Sequence, residues 1–319
     1  MFSDLKAAHF QLTVRCNLSC SFCGQSRGMA GSASDEISVE NWLNYAEQLR
    51  GLASFVPTIT LWGGEPMLYS GFNVLAEQLR LLGHKLHIVT NATQIENSCE
   101  VLNSCFEKIF ISLDGLKEEH DAVRGSGVFD KVMKNIQLLR KRQGKLVFLC
   151  TVSDANVKRI PEILPQMAEL GCDEIVLQQL MYLTKQEIDE YRNFSKEHFG
   201  NDYPELANWQ RDDDTLYRKH LTEMLAAIAD KKYQVPVGFT GHAYWFSPNA
   251  EPCRKSSERV HIRHDGEVGF CTDYFGVSAG NVKNQSIRDI LAGEKAQAFF
   301  NAVKENKLAI CRHCPWHLQ

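Results

Sequence analysis

The 319-residue sequence lacks any apolar run of about 18 residues, so we expect no membrane-spanning helix and no membrane partner. The segment Met1–Ala8 has neither an apolar core nor a small-residue cleavage site, which argues against a secretory signal. A net charge of −4 gives no general attraction to nucleic acid, so a tRNA-modifying function is disfavoured. From these absences we expect a cytoplasmic protein.

What the sequence does have is 11 cysteines, within an ordinary composition of 44% hydrophobic and 23% charged residues. Its length is sufficient for one large domain, or for a barrel with an appendage. In a chain without a secretory signal, this number of cysteines indicates reduced thiols and metal ligands rather than disulfides.

The first group of cysteines is Cys16, Cys20 and Cys23, spaced C-x3-C-x2-C after an apolar stretch that is typical of a strand. Thiolates gathered on one short loop are ligands for iron–sulfur clusters or zinc. Three ligands leave one coordination position open, where a small molecule can bind. Two alternatives remain: a zinc ion with a distant fourth ligand, and three cysteines packed as small apolar residues.

From residue 9 to about 180, short apolar segments alternate with amphipathic stretches, which predicts an α/β fold. Six strands are expected, over 9–14, 58–62, 85–90, 108–113, 145–152 and 174–180. Such repeats form a parallel sheet with right-handed crossovers, and six are too few to close an eight-stranded barrel. We therefore expect a partial, TIM-like (β/α)6 barrel over 1–180, with the functional site at the carboxyl ends of its strands.

Gly63, Gly64 and Glu65 end the second predicted strand. Paired glycines let the backbone approach a ligand closely, and a neighbouring carboxylate can accept a hydrogen bond from an ammonium group. A plain turn is the alternative. Asn91 ends the third strand, where it could reach a ribose, although asparagine is also a common turn residue.

The β/α alternation stops over 181–252, and we expect a helical insertion there that covers the substrate. Asp212, Asp213 and Asp214 indicate the N-terminus of a helix, with a divalent metal site as the alternative. The aromatic segment 242–246 either covers the substrate or belongs to the core. Gln178 and Tyr182, near the end of the sixth strand, are substrate contacts by position only.

The third region, 253–319, carries Cys253, Cys271, Cys311 and Cys314. An Asp-Gly pair at 265–266 predicts a hairpin between the first two of these cysteines. Four thiolates saturate one metal centre, and their spacing fits either zinc or an iron–sulfur cluster. The other four cysteines, at 99, 105, 150 and 172, are most simply buried small residues.

Together these motifs resemble the radical S-adenosylmethionine (radical SAM) superfamily. The resemblance rests on the C-x3-C-x2-C loop with Phe22 before its third cysteine, on Gly-Gly-Glu, and on Ser-Leu-Asp-Gly followed by His-Asp-x-x-Arg-Gly. It implies that the three thiolates hold a 4Fe–4S cluster and that the amino and carboxylate groups of SAM bind the fourth iron. The SAM contacts that we expect from it are Phe22, Gly63, Gly64, Glu65, Ser112, Asp114 and Arg124, and Asn91 is added by its position alone. A solvated surface charge remains the alternative for Arg124.

The C-terminal pattern is similar to the twitch domain, a short SPASM domain, of the inosamine dehydrogenase-type enzymes. It implies one auxiliary 4Fe–4S cluster on Cys253, Cys271, Cys311 and Cys314, with zinc as the alternative. A second auxiliary cluster is not expected, because the printed sequence has no further cysteines after the last pair.

The resemblance implies reductive cleavage of SAM to a 5′-deoxyadenosyl radical, which abstracts hydrogen from a small molecule or a ribosomal peptide. A saturated auxiliary cluster suits an electron acceptor, so we expect net two-electron oxidation, either dehydrogenation or cross-linking. A redox-neutral peptide epimerase and an iron–sulfur carrier or scaffold are the alternatives. A flavodoxin or ferredoxin would supply the electron. A separate recognition protein could deliver a peptide, because no recognition domain precedes Cys16. No catalytic base is identified.

Overall fold

The computed structural model describes residues 5–24, 35–241, 253, 255–272, 277–305, 307–308 and 311. The strands are β1 (Ala7–Thr13), β2 (Thr58–Gly63), β3 (Leu86–Thr90), β4 (Phe106–Ser112), β5 (Lys145–Val152), β6 (Glu174–Gln179), β7 (Val237–Thr240), β8 (Arg259–Ile262), β9 (Glu267–Gly269) and β10 (Gly280–Asn281). The α-helices are α1 (Val39–Leu52), α2 (Phe72–Leu81), α3 (Cys99–Cys105), α4 (Lys117–Arg124), α5 (Val128–Ile136), α6 (Ile160–Ala168), α7 (Lys185–Phe199), α8 (Thr215–Ile228), α9 (Ile287–Ala292) and α10 (Glu294–Lys304). Short 3-10 helices span Pro66–Leu68, Ile95–Asn97, Gln137–Leu139, Pro204–Trp209 and Lys255–Ser257.

All these strands belong to one sheet, in the order β10-β9-β8-β1-β2-β3-β4-β5-β6-β7. Strands β1 to β6 pair in parallel and in chain order, each followed by one or more helices. This arrangement confirms the predicted α/β fold with a parallel sheet. The carboxyl ends of β1 to β6 lie along the same edge, where the predicted site was expected.

The sheet extends beyond the six predicted strands at both ends. Strand β7 pairs in parallel with β6, although it lies in the segment 181–252, where only helices were expected. Strand β8 pairs in parallel with β1 across some 250 residues of sequence, and β9 and β10 continue from it as antiparallel strands. The region 253–319 therefore shares the sheet of the barrel.

The two faces of β1 show how the sheet is buried. Phe10 and Leu12 are fully buried, and the Phe10 ring stacks on Trp42 of α1 with centroids 4.5 Å apart. Because side chains alternate along a strand, His9 and Gln11 lie on the opposite face, toward the interior of the partial barrel. The helices thus cover the outer face of the sheet and leave polar side chains inside.

Helix α7 begins with the capping box formed by Thr184 and Glu187. The Thr184 side chain accepts from the Glu187 N–H, and the Glu187 carboxylate accepts from the Thr184 N–H at 2.8 Å. These reciprocal bonds satisfy two donors that a helix start leaves unpaired.

The three consecutive aspartates lie at the starts of α7 and α8. Asp212 accepts from the Lys185 N–H at 2.8 Å, and Asp213 accepts from the Thr215 N–H at 3.0 Å. Asp214 is the residue that precedes α8. The three aspartates therefore lie at helix N-termini, which is the interpretation that the sequence favoured. The aromatic segment 242–246 lies outside the described residues.

Candidate cofactor site

The three N-terminal cysteines lie on the loop that follows β1, at the carboxyl edge of the sheet. Cys20 is buried, Cys23 is half-buried and Cys16 is exposed, and none of the three is in a disulfide. Burial raises the pKa of the Cys20 thiol, and partial desolvation of the sulfur raises that of Cys16, although the residue as a whole is exposed. In the protein alone both thiols therefore hold their protons, and a bound metal would displace them.

The glycine pair at the end of β2 lies against this loop. The Gly64 N–H donates to the Thr13 carbonyl oxygen at 2.9 Å. A Cβ on Gly63, whose φ is +149°, would lie 2.3 Å from the Thr13 carbonyl oxygen. A Cβ on Gly64 would lie 2.2 Å from the carbonyl oxygen of Arg15. Only glycine permits this approach of the two backbones, so the loop requires glycine at both positions.

The Glu65 carboxylate is fully buried and joins the ends of β2 and β3. It accepts from the Thr90 hydroxyl at 2.8 Å, from the Asn91 N–H at 2.8 Å and from the Met67 N–H at 3.3 Å. Burial raises its pKa to about 7, against the effect of these donors. The side chain thus positions the turn after β3, and its predicted contact with an ammonium group stays a prediction.

The turn after β3 contacts the cysteine loop directly. The Asn91 side-chain amide lies 3.1 Å from Asn17 Oδ1 and 3.8 Å from Cys16 Sγ, and Asn17 in turn donates to Thr93. Ala92, between Asn91 and Thr93, has φ +61°, a conformation that L-residues rarely adopt. Asn17 and Thr93 were not predicted as site residues, because neither belongs to a motif with a fixed spacing to the cysteines.

Asp114 and Arg124 form a buried ion pair beside the loop. Arg124 Nε donates to Asp114 Oδ2 at 2.6 Å, and the Thr151 N–H donates to Asp114 Oδ1 at 2.8 Å. The Arg124 side chain is only 9% exposed, so its interpretation as a solvated surface charge is wrong. Its Nη1 lies 3.7 Å from Cys20 Sγ, and its guanidinium carbon lies 5.6 Å from the centre of the Phe22 ring.

The loop suits a cluster because three hydrogen-bond donors lie near the sulfurs of Cys16 and Cys20. Besides Asn91 and Arg124, the Leu18 N–H lies 3.4 Å from Cys16 Sγ. Such donors stabilise iron-bound thiolates and influence the reduction potential of a cluster. Ser112, the last residue of β4, is half-buried. Within the described ranges, no group of three or more His, Cys, Asp or Glu side chains is arranged so that it could hold a single metal ion.

The predicted hairpin, β8 and β9, lies between the first two C-terminal cysteines, Cys253 and Cys271. Gly266 has φ +92° in the turn between β8 and β9, and the Arg263 N–H donates to the Glu267 carbonyl oxygen at 2.9 Å, which confirms the hairpin. Cys253, Cys271 and Cys311 are each half-buried and pack against the core. Cys314 lies outside the described residues.

Tyr182, a positional guess for substrate contact, is part of a structural cluster. Its hydroxyl donates to Asp154 at 3.2 Å, and the Arg211 guanidinium lies 4.6 Å from its ring centre. Arg211 also pairs with Asp154 at 2.7 Å. Tyr182 therefore connects the segment after β6 to the loop after β5. Gln178 lies in β6, level with Thr240 of β7.

The remaining cysteines are placed as small apolar residues. Cys105, Cys150 and Cys172 are buried, and Cys99 is half-buried. Burial raises the pKa of Cys172 to about 11 and that of Cys150 well above its usual range. These positions confirm the simpler interpretation of the sequence.

Two family models match the chain. The radical SAM superfamily model matches residues 10–167, and the SPASM model, described as an iron–sulfur cluster-binding domain, matches residues 253–315. The chain belongs to the radical SAM superfamily. Its cofactors are accordingly SAM and 4Fe–4S clusters, one of them the cluster that binds SAM. The loop with three thiols, the glycine pair packed against it, and the Asn91 and Arg124 donors near its sulfurs fit that assignment.

Relatives of this radical SAM protein act on different classes of molecule. Pre-heme d1 synthase of Dinoroseobacter shibae is 30% identical over 180 residues, which are 54% of this chain and 43% of that protein. The sporulation killing factor maturation protein SkfB of Bacillus subtilis is 32% identical over 164 residues, 50% of this chain and 39% of that protein. The chain thus matches less than half the length of these two relatives.

The fold agrees with a solved structure of the superfamily. Streptococcus suis SuiB bound to S-adenosylmethionine superposes with a TM-score of 0.72 at 16% identity, covering 98% of this chain and 72% of SuiB. At this identity the likeness establishes the fold alone. None of the helices in the described residues is long and apolar enough to cross a membrane.

Proposed function

We propose that this chain is a radical SAM enzyme that oxidises a peptide or a small molecule by two electrons, with the C-terminal cluster as electron acceptor. The product would be dehydrogenated or cross-linked. The observation that carries the proposal is the buried Arg124, fixed by Asp114 and directed at Cys20 of a three-thiol loop. A loop that only carried electrons would need four protein ligands and no such arginine.

The proposed ligands divide between two centres. When bound, the cluster and SAM at the first centre supply abstraction of a hydrogen atom from an unactivated C–H bond. Cys16, Cys20 and Cys23 would hold that cluster. The residues proposed to surround SAM are Phe22, Gly63, Gly64, Asn91, Ser112 and Arg124. Cys253, Cys271, Cys311 and Cys314 would hold a single auxiliary cluster.

Two buried carboxylates act as positioning residues for this site. Asp114 orients the guanidinium of Arg124, because the Thr151 N–H fixes one of its oxygens and Arg124 binds the other. Glu65 fixes the turn that carries Asn91. In this proposal neither carboxylate needs to contact SAM, because each supports a residue that does.

Peptide substrates are supported by the relatives. SkfB is a maturation protein by name, and SuiB has been solved with its precursor peptide SuiA. A tetrapyrrole or another small molecule is the second candidate, because pre-heme d1 synthase is as similar as SkfB. A flavodoxin or ferredoxin is the proposed reductant, and a separate recognition protein could deliver a peptide.

Anaerobic reconstitution with iron, sulfide, SAM and dithionite tests the proposal. Candidate substrates are added, and 5′-deoxyadenosine and the substrate mass are followed together. We expect 5′-deoxyadenosine to form and the substrate to lose two hydrogens. An unchanged mass with deuterium uptake from solvent would replace oxidation by epimerisation. Complete failure to cleave SAM would favour an electron carrier.

A further inference from the structure

A closed ring of hydrogen bonds joins the turn after β3 to the cysteine loop. Asn91 Nδ2 donates to Asn17 Oδ1 at 3.1 Å, and Asn17 Nδ2 donates to the Thr93 hydroxyl at 2.7 Å. That hydroxyl donates to Asn91 Oδ1 at 2.6 Å, which closes the ring. Asn91 and Thr93 are buried, whereas Asn17 lies on the exposed loop. The two buried side chains therefore hold the exposed one, and each orients the next.

A backbone donor fixes the direction of this ring. The Thr93 N–H can only donate, and it donates to Asn91 Oδ1 at 2.9 Å. The oxygen of the Asn91 amide must therefore face Thr93, because a reversed amide would place its nitrogen against two donors. The nitrogen then faces the cysteine loop. One of its hydrogens bonds Asn17, and the other is available to Cys16 Sγ, which lies 3.8 Å from Nδ2.

The turn that carries Asn91 is also held by two other elements. The Asn91 N–H donates to the Glu65 carboxylate at 2.8 Å. Asn135, fully buried on α5, donates to the Ala92 carbonyl oxygen at 2.9 Å. The positive φ of Ala92 is a conformation that persists only where the surrounding structure imposes it. The position of Asn91 beside the cysteine loop is therefore built into the fold and needs no bound group.

The sulfur that Asn91 faces belongs to a proposed cluster ligand. With the Leu18 N–H at 3.4 Å, Cys16 Sγ has two neutral donors within reach. Reduction adds negative charge to a cluster, so a donor to an iron-bound thiolate stabilises the reduced form more than the oxidised form. Hydrogen bonds to the sulfurs therefore raise the reduction potential of a cluster.

Building on the proposed function, we propose that Asn17, Asn91 and Thr93 together set the reduction potential of the first cluster. Asn91 would donate to the Cys16 thiolate. Asn17 and Thr93 are positioning residues, which direct the Asn91 amide toward that sulfur. Loss of the donor would lower the potential and make the cluster harder for its reductant to reduce.

Redox titration of the anaerobically reconstituted protein, followed by electron paramagnetic resonance, tests this assignment. The first cluster is recognised in the unsubstituted protein as the signal that SAM shifts, and the auxiliary cluster is the internal reference. In Asn91→Leu we expect the ratio of reduced to oxidised first cluster at a fixed potential to fall about ten-fold, equivalent to about 59 mV for a one-electron couple. The auxiliary cluster should not change. An unchanged potential of the first cluster would overturn the assignment.

Variants of Thr93 test the positioning role. Thr93→Val removes the hydroxyl at similar volume and should lower the same ratio about three-fold, because Asn17 loses its acceptor and Asn91 loses a donor. Thr93→Ser keeps the hydroxyl and should retain the wild-type potential. Thr240→Val is the control, at a buried threonine of β7 whose hydroxyl bonds to no residue that the structure describes. Equal potentials in Thr93→Val and Thr93→Ser would contradict the positioning role.

The same titration separates this inference from the proposed function. A first cluster that responds to SAM but keeps its potential in Asn91→Leu would contradict the inference alone. A protein in which SAM shifts neither signal would contradict the proposed function, and the inference with it.

Discussion

At the scale of single residues, the proposed cofactor site contains two buried carboxylates that the family resemblance implied as SAM contacts. Asp114 and Glu65 are both fully buried, and each oxygen that they present is already bound by the protein. Their position beside strand ends was predictable from the motifs. Their partners were not, because Thr151 and Thr90 belong to other strands and become neighbours only in the sheet.

Replacing Asp114 should show what the ion pair contributes. In Asp114→Asn the charge of Arg124, 9% exposed, would remain buried without its partner. Breaking a buried pair in this way typically costs about 3 kcal/mol. We expect that loss in urea unfolding of the metal-free protein. Asp202→Asn, which breaks an exposed pair with Arg192, is the control and should leave the midpoint unchanged. Equal effects of the two substitutions would contradict the account.

Glu65 predicts a pH dependence of stability. Its pKa is raised from 4.5 to about 7 in the folded protein, because burial disfavours the charged form. Between these values the unfolded chain loses the proton while the folded chain keeps it, so this residue makes stability fall as pH rises. The decline amounts to about 3 kcal/mol across the window. Glu65→Gln should lack this decline, so the difference in unfolding free energy between wild type and variant should change by about 3 kcal/mol across this pH window. Parallel plots of unfolding free energy against pH for the two proteins would contradict the account.

At the scale of elements, local sequence patterns identified strands β1 to β6 and the start of α7. Alternating apolar residues and the Thr184–Glu187 capping box are signals contained within a few neighbouring residues. Strand β7 was not predicted because Val237–Thr240 is only four residues long and includes a glycine, so it has no clear alternation of apolar and polar residues. The pairing of β8 with β1 was not predictable either, since no local signal specifies a partner some 250 residues away.

The contact between β2 and the cysteine loop gives a test at this scale. In Gly64→Ala the new Cβ would lie 2.2 Å from the Arg15 carbonyl oxygen, so the loop must shift. We expect the iron bound per chain after reconstitution to fall by at least a third relative to wild type. Gly51→Ala, within α1, is the control, because nothing lies within 4 Å of the Cβ that it would add. Full iron content in Gly64→Ala would show that the close approach is not required.

At the scale of the whole molecule, both proposed centres depend on one sheet. The first loop follows β1, and Cys271 follows β9, which joins β1 through β8. The motifs predicted both centres, but not that the hairpin continues the barrel sheet. This continuity places Cys271 at the end of a strand in the same sheet as the loop that follows β1.

The number of clusters follows from the C-terminal cysteines. Cys271→Ala removes one proposed ligand of the auxiliary cluster, so we expect iron and sulfide per chain to fall by about half while SAM cleavage persists. Cys172→Ala, at a buried cysteine outside both centres, should retain the full iron content. A Cys271 variant with undiminished iron would contradict the assignment of the second centre.

The central claim is that the loop of Cys16, Cys20 and Cys23 leaves one iron without a protein ligand, so that SAM can bind it. Electron paramagnetic resonance of the reduced Cys271→Ala protein, with and without SAM, tests this most directly because the first cluster is then observed alone. We predict a cluster signal that shifts when SAM is added. A spectrum that SAM leaves unchanged, or zinc in place of iron at these thiolates, would contradict the account.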